Sequence, residues 1–353
     1  MYLLIWRNPI NLDDFNDTIF ATSAKEANML SKRLSILCII CIVFLSLAAT
    51  GLALSRPVVV NIMIDAEISS SAQNLTPAEQ ESLEITPLVE MLEYIDSSGI
   101  NTTVYFTGDF ASKQIGNISY KDCINYVASK PTHEIALHSM TTSDKLGLMS
   151  YQEQLSLLTR ARNLIEAAYI QDNKSSTIKG FRPQYFNQSE DTYNVLDEMG
   201  MIYDSGFKAG LLYTPGHMND TWPYLMENHT FYAVPVSTFS VEGELHYACD
   251  LCSKEVVGWD GTQWSDFLIK KFFECADRGD PLVVIFHNLV SGEDSEYLTA
   301  FKKFVDFAAS ENATFVTTMD LVEMAKYNRT MGEISPVAPG LNSPNLSADR
   351  ATA

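Results

Sequence analysis

Basic residues are scarce in this chain. Against 44 Asp and Glu there are 24 Lys and Arg, for a formal charge of −20 over 353 residues. Such a chain has no cationic surplus with which to displace counterions from phosphates, which argues against nucleic acid as a partner. Cysteine is sparse too. Of six, Cys38 and Cys41 lie in one apolar run, leaving Cys123, Cys249, Cys252 and Cys275. Cys249-Asp250-Leu251-Cys252 has the spacing of a zinc or redox pair, but a second pair at zinc-finger spacing is missing. A disulfide involving these four cysteines is therefore the preferred reading.

Charge of either sign is missing from Leu34–Ser55, between Arg33 and Arg56. At ~1.5 Å of rise per helical residue this run, with Leu34–Leu54 as its lipid contact, is long enough to cross a ~30 Å hydrocarbon core. It is too long, and starts too late, for the apolar part of a signal peptide. Arg7, Lys25, Lys32 and Arg33 precede it, and Arg56 alone follows closely. That bias puts the N-terminus in the cytoplasm and the body outside. The expected organisation is a cytoplasmic tail over 1–33, a single-pass cell-membrane anchor over 34–55, a globular domain over 56–330, and a disordered Pro-, Asn-, Ser- and Ala-rich tail over 331–353. Glycosylation acceptors of the form Asn-X-Ser/Thr at Asn74, Asn101, Asn117, Asn173, Asn187, Asn219, Asn228, Asn312, Asn328 and Asn345 fit an exported body.

Within the domain, strand-like and helix-like segments alternate. Val58–Asp65 is a near-continuous apolar run that suits a strand buried on both faces. A polar loop from Ile68 to Glu84 follows, and Thr86-Pro87 opens a helix that Gly99 ends. Thr102–Thr107, His133–Leu137, Ile178–Phe181, Met201–Tyr203, Phe231–Val236, Pro281–Phe286 and Thr314–Thr317 read as further strands. Helices over Tyr120–Ser129, Ser150–Ala168, Ser189–Met199, Ser265–Ala276, Glu296–Ser310 and Asp320–Tyr327 separate or follow them, and Gly206–Thr230 reads as loop. Repeated alternation of this kind predicts an α/β fold with parallel strands. Asp65, His138, Arg182, Asp204 and His287 each fall at the C-terminal end of a different strand. In a barrel such ends converge on one face, where active sites are built.

Four segments in order carry a resemblance to the polysaccharide deacetylase family of the NodB-homology class. His133-Glu134-Ile135-Ala136-Leu137-His138-Ser139 resembles its second motif, His-Glu-Ile-Gly-x-His-Ser/Thr-x-x-His. Gly180-Phe181-Arg182-Pro183-Gln184-Tyr185 is similar to the third, Phe-Arg-Pro-Pro-Tyr; Tyr203-Asp204-Ser205 resembles the fourth and Phe286-His287 the fifth. The resemblance spans Val58 to Tyr327. It implies a distorted (β/α) barrel of roughly seven or eight parallel strands and hydrolysis of N-acetyl, sometimes O-acetyl, groups on a glycan. Relatives act on other linear C–N bonds as well. Amide hydrolysis needs an activated water, a stabilised oxyanion and a proton for the leaving amine. The implied roles are Asp65 as general base, His287 as general acid, Arg182 as the group holding Asp65, Asp204 as a positioner of His287 or Arg182, and the Tyr185 N–H as oxyanion donor. A divalent metal, zinc first with cobalt, nickel or manganese as alternatives, completes the implied site.

The metal ligands are where the chain departs from the family pattern. The usual first motif, Thr-Phe-Asp-Asp-Gly, here reads Ile64-Asp65-Ala66-Glu67, which makes Glu67 the ligand candidate beside His138. Residues two apart on a strand share a face, so Asp65 and Glu67 can reach one pocket. The histidine due four residues after His138 is Thr142, a poor zinc ligand, leaving Asp144 as a substitute. His133, five residues before His138, points the other way and reads as structural. Two rivals accompany the hydrolase reading: a carbohydrate-binding member of the same fold that has lost its chemistry, and a redox protein built on Cys249 and Cys252.

Overall fold

The computed structural model of the protein describes residues 57–116, 118–169 and 178–330. The tail, the anchor and residues 331–353 expected above lie outside them. Among the described residues no helix is long and apolar enough to cross a membrane.

The strands are β1 (Val59–Ala66), β2 (Thr102–Phe106), β3 (Gln114–Ile115), β4 (Ile118–Ser119), β5 (His133–Leu137), β6 (Gly180–Phe181), β7 (Tyr203–Lys208), β8 (Tyr224–Leu225), β9 (Tyr232–Val236), β10 (Thr238–Val241), β11 (Glu244–Tyr247), β12 (Leu282–His287) and β13 (Thr314–Phe315). The main sheet runs β12-β1-β2-β5-β6-β7-β9-β8, with β13 also paired to β1. Every pairing along it is parallel except β8 against β9. The sheet curls far enough for its ends to touch. The Ser237 N–H donates to the Val283 carbonyl (3.0 Å) and the Ile285 N–H to that of Ala248 (3.0 Å). The seam is thus the segment after the β10–β11 hairpin rather than a regular ladder.

The near-continuous apolar character of β1 and β12 follows from burial on both faces. Ile62, Ile64, Val284 and Phe286 point outward into a core shared with the surrounding helices. Met63, Val283 and Ile285 point inward, where they meet Tyr105, Ala136, Tyr203, Val234 and Val236. The helices carry their own punctuation. Pro87 opens Thr86–Ser98 and Gly99 ends it at φ 66°, while an Asp260–Gln263 capping box opens Gly261–Arg278. The last helix, Thr318–Thr330, sends Leu321 and Val322 into the inner core. Its first N–H binds the Thr103 hydroxyl near the start of β2 (2.7 Å), so it closes the N-terminal end of the barrel.

Several expectations change. The loop expected over Ile68–Glu84 holds short helical turns at Ser70–Asn74, Pro77–Gln80 and Glu81–Ile85. The one expected over Gly206–Thr230 begins as the last residues of β7 and contains β8. The disulfide is not formed. Cys123, Cys249, Cys252 and Cys275 are all free and buried. Cys123 and Cys275 fill the outer core, Cys249 and Cys252 the inner one, packed as small apolar side chains.

Candidate active site

Period-two alternation decides which strand residues can meet. On β5, Ile135 and Leu137 face the helices while Ala136 faces the barrel; His138, next in the inward series, therefore emerges over the barrel mouth. The same parity carries Asp65 out of β1 behind Met63, and His287 out of β12 behind Ile285. Asp65 and His287 are direct partners in the parallel register. Arg182 follows outward-facing Phe181 and turns inward, with its guanidinium 4.1 Å above the Tyr105 ring.

Asp65 is the hub. One carboxylate oxygen forms an ion pair with Arg182. The other lies 3.4 Å from Nε2 of His138 and 3.5 Å from Nε2 of His287. Asp65, His138, Arg182 and His287 are all buried. Burial pushes the Arg182 guanidinium down to about 9, which keeps it cationic at neutral pH.

His287 is held by a residue the sequence reading missed. Asp250 accepts its backbone N–H (2.8 Å) and pairs with its Nδ1 at 2.6 Å. Burial disfavours the imidazolium, yet the charge and hydrogen bond of Asp250 prevail and hold His287 well above the ordinary histidine value. Asp250 lies in the irregular segment at the barrel seam, so no strand-exit pattern marked it. Asp204 does not take that place. Tyr203 faces the inner core, so alternation turns Asp204 to the opposite side. Its Oδ1 accepts the Gly206 N–H at 2.8 Å. Burial raises its carboxyl to about 8, against the opposing Gly206 bond and Arg182 charge. Its other oxygen has no hydrogen-bond partner, so no such bond joins it to Arg182.

Glu67 lies with His138 on the other flank, Oε1 to Nε2 at 3.2 Å. Its main chain is fixed by Asn288, whose amide accepts the Glu67 N–H (3.0 Å) and donates to its carbonyl (3.1 Å). Burial would raise the Glu67 carboxyl, but the His138 bond and the charges of His287 and His138 bring it to about 2. Gln184, also missed in the sequence, binds Glu67 and donates to the His138 carbonyl at 3.3 Å.

The donor set suits a divalent cation. His138 Nδ1 lies 2.9 Å from the Arg182 carbonyl, which can only accept, so Nδ1 carries a hydrogen and Nε2 is the ring nitrogen turned toward two carboxylates. Asp144 does not supply a third ligand. Its oxygens bind the N–H groups of Met140 and Thr141 (both 2.8 Å) and the Thr141 hydroxyl (2.9 Å). A tighter cluster, Cys249, Asp250 and His287, has ligand atoms within 4.8 Å of one another. Asp250 is a poor ligand there, because donors from His287, Leu251 and Ser291 already occupy both its oxygens. Tyr185 and Phe186 take left-handed φ values of 55° and 57°, and the Tyr185 side chain stands 64% exposed on the loop after Arg182. His133 faces outward, 3.1 Å from Asp96.

Residues 86–203 match the family model of polysaccharide deacetylase. Among solved structures, a candidate polysaccharide deacetylase from Mycobacterium smegmatis is 18% identical, over 82% of this chain and 94% of that one, with a TM-score of 0.57. A candidate polysaccharide deacetylase from Pseudomonas aeruginosa is 15% identical over 77% and 91%, TM-score 0.58. The Puue allantoinase is 15% identical over 79% and 92%, TM-score 0.60. At such identities the likeness establishes the fold. No curated protein matches the chain.

Proposed function

From the match of residues 86–203 to the polysaccharide deacetylase family model, we propose a membrane-anchored hydrolase that removes N-acetyl, or O-acetyl, groups from cell-surface or extracellular glycans. The observation that carries this reading is Asp65 itself. A single buried carboxylate has Arg182 on one oxygen and both His138 and His287 near the other.

The chemistry follows from those positions. Asp65, paired with Arg182, takes the proton of an attacking water. The N–H of Tyr185, at the turn after Arg182, stabilises the oxyanion. His287, held protonated by Asp250, gives its proton to the leaving nitrogen as the C–N bond breaks and acetate departs. Glu67 and His138 would hold a divalent metal, zinc first, whose chemistry when bound is to polarise the acetyl carbonyl and the water. Leu34–Ser55 would anchor the chain in the cell membrane with the domain outside. Asn74, Asn219, Asn228 and Asn312 are exposed, as glycosylation there requires.

A second reading, a glycan-binding member without activity, is favoured by one feature: Thr142 stands where the family pattern has a histidine. Acetate release from chitin oligomers, peptidoglycan and acetylated polysaccharides, measured with bound metal, separates the two. The hydrolase reading expects release that falls about 10²–10⁴-fold in Asp65→Asn. A chain that binds no metal and releases acetate equally with or without Asp65 would end it.

A further inference from the structure

Lys208 ends β7 next to the site and is half-buried, with no carboxylate partner among the described residues. Lys113, Lys130, Lys254, Lys302, Lys303 and Lys326 each pair with a carboxylate. Among the described residues no carboxylate or hydrogen-bond acceptor meets the Lys208 ammonium, although acidic groups far outnumber basic ones. Its Nζ instead lies 4.0 Å from the centre of the Phe186 ring and 4.1 Å from that of Tyr247. The two rings meet edge to face, 5.0 Å apart. A register shift between Asp204 and Phe207 re-aims the end of the strand. Phe207 joins the outer core, so Lys208 turns to the barrel side.

The cage walls come from the two loops that build the site. Phe186 follows Gln184 and Tyr185 on the Arg182 loop. Tyr247 stands just before Cys249 and Asp250, the holder of His287. The rings orient the cation and screen it from water, which strengthens its attraction for an incoming anion. One ammonium, a compact point charge without the fork of an arginine, suits a singly charged group.

We propose that Lys208, in its Phe186–Tyr247 cage, is a specificity-determining residue that binds the carboxylate of an acidic sugar unit next to the one whose acetyl group is removed. This rests on the deacetylase reading for the placing of the glycan, so the test reads binding rather than turnover. Isothermal titration of the full-length chain at low salt would compare two N-acetylated tetrasaccharides. One consists of N-acetylglucosamine alone; the other alternates N-acetylglucosamine with glucuronic acid. The acidic sugar should bind about tenfold tighter. Lys208→Met, which keeps an unbranched chain between the rings, should remove the preference and leave the neutral sugar within about twofold; Lys208→Arg should retain it. Equal affinities in the unsubstituted chain, no binding of either sugar, or an equal loss for both in Lys208→Met overturns the proposal. Should neither sugar release acetate while the preference and its loss persist, the deacetylase reading falls and the subsite stands.

Discussion

Two half-buried glutamates, Glu67 at the mouth of the barrel and Glu134 inside it, respond to desolvation in opposite ways. Glu134 is pushed up to about 7, since desolvation outweighs its hydrogen bonds. Glu67 falls to about 2, since histidines face it. Inside, every partner is a neutral donor. Tyr203 serves one Glu134 oxygen (2.8 Å), while Thr103 and the Met319 N–H serve the other (both 2.9 Å). Tyr105 extends the network to Ser205 and Thr318. At the mouth, charged groups face each other and polar atoms are left over, among them the Ser139 hydroxyl and Arg182 Nε. A satisfied network holds a barrel together; an unsatisfied, charged one is suited to meeting a substrate.

That contrast can be broken by experiment. Arg182→Met strands Asp65 as a buried, unpaired charge and should cost about 3–5 kcal/mol of stability in denaturant titrations; a cost near zero would remove Asp65 as the hub. Asp250→Asn should lower kcat/KM by about 10²–10⁴-fold. The alkaline limb of its pH profile should move to lower pH, because the proton on His287 is then held less tightly. A limb that stays put would separate Asp250 from the acid.

The glutamates themselves give opposite slopes. The folded state holds a proton on Glu134 up to about pH 7, so stability should fall as pH rises from about 4.5 to 7, by roughly 3 kcal/mol. Glu134→Gln should flatten that slope in thermal melts. For Glu67 the sign reverses. Its contribution is present above about pH 4.5 and lost as pH falls toward 2, and Glu67→Gln in chelator-treated protein should remove that acid loss. The effect should be the smaller one, since the Glu67 side chain keeps 13% of its exposure and solvent screens it. Slopes of equal sign for the two would undo the comparison.

Much of the mouth was legible because a strand exit is written as an apolar run closed by a polar residue. Asp65, His138, Arg182 and His287 end runs whose inward and outward residues can be counted. Asp204 misled for the same reason it could have been excluded: Tyr203 and Ser205 flank it, and only one side of that alternation faces the barrel. Asp250 and the inward turn of Lys208 were hidden, because a seam segment and a shifted register leave no periodic trace. The disulfide reading failed because all four cysteines are free and buried, Cys123 and Cys275 packed in the outer core and Cys249 and Cys252 in the inner one.

β1 lies one strand in from an end of the sheet, and its neighbours on one side, β12 and β13, come from late in the chain. Asp65 meets His287, Val59 meets Thr314, and Asn61 binds the Val316 carbonyl at 3.0 Å. A ribosome therefore delivers Asp65 early and His287 some 220 residues later, beyond the reach of local folding. Until β12, β13 and the helix Thr318–Thr330 arrive, β1 is an apolar strand with an open edge.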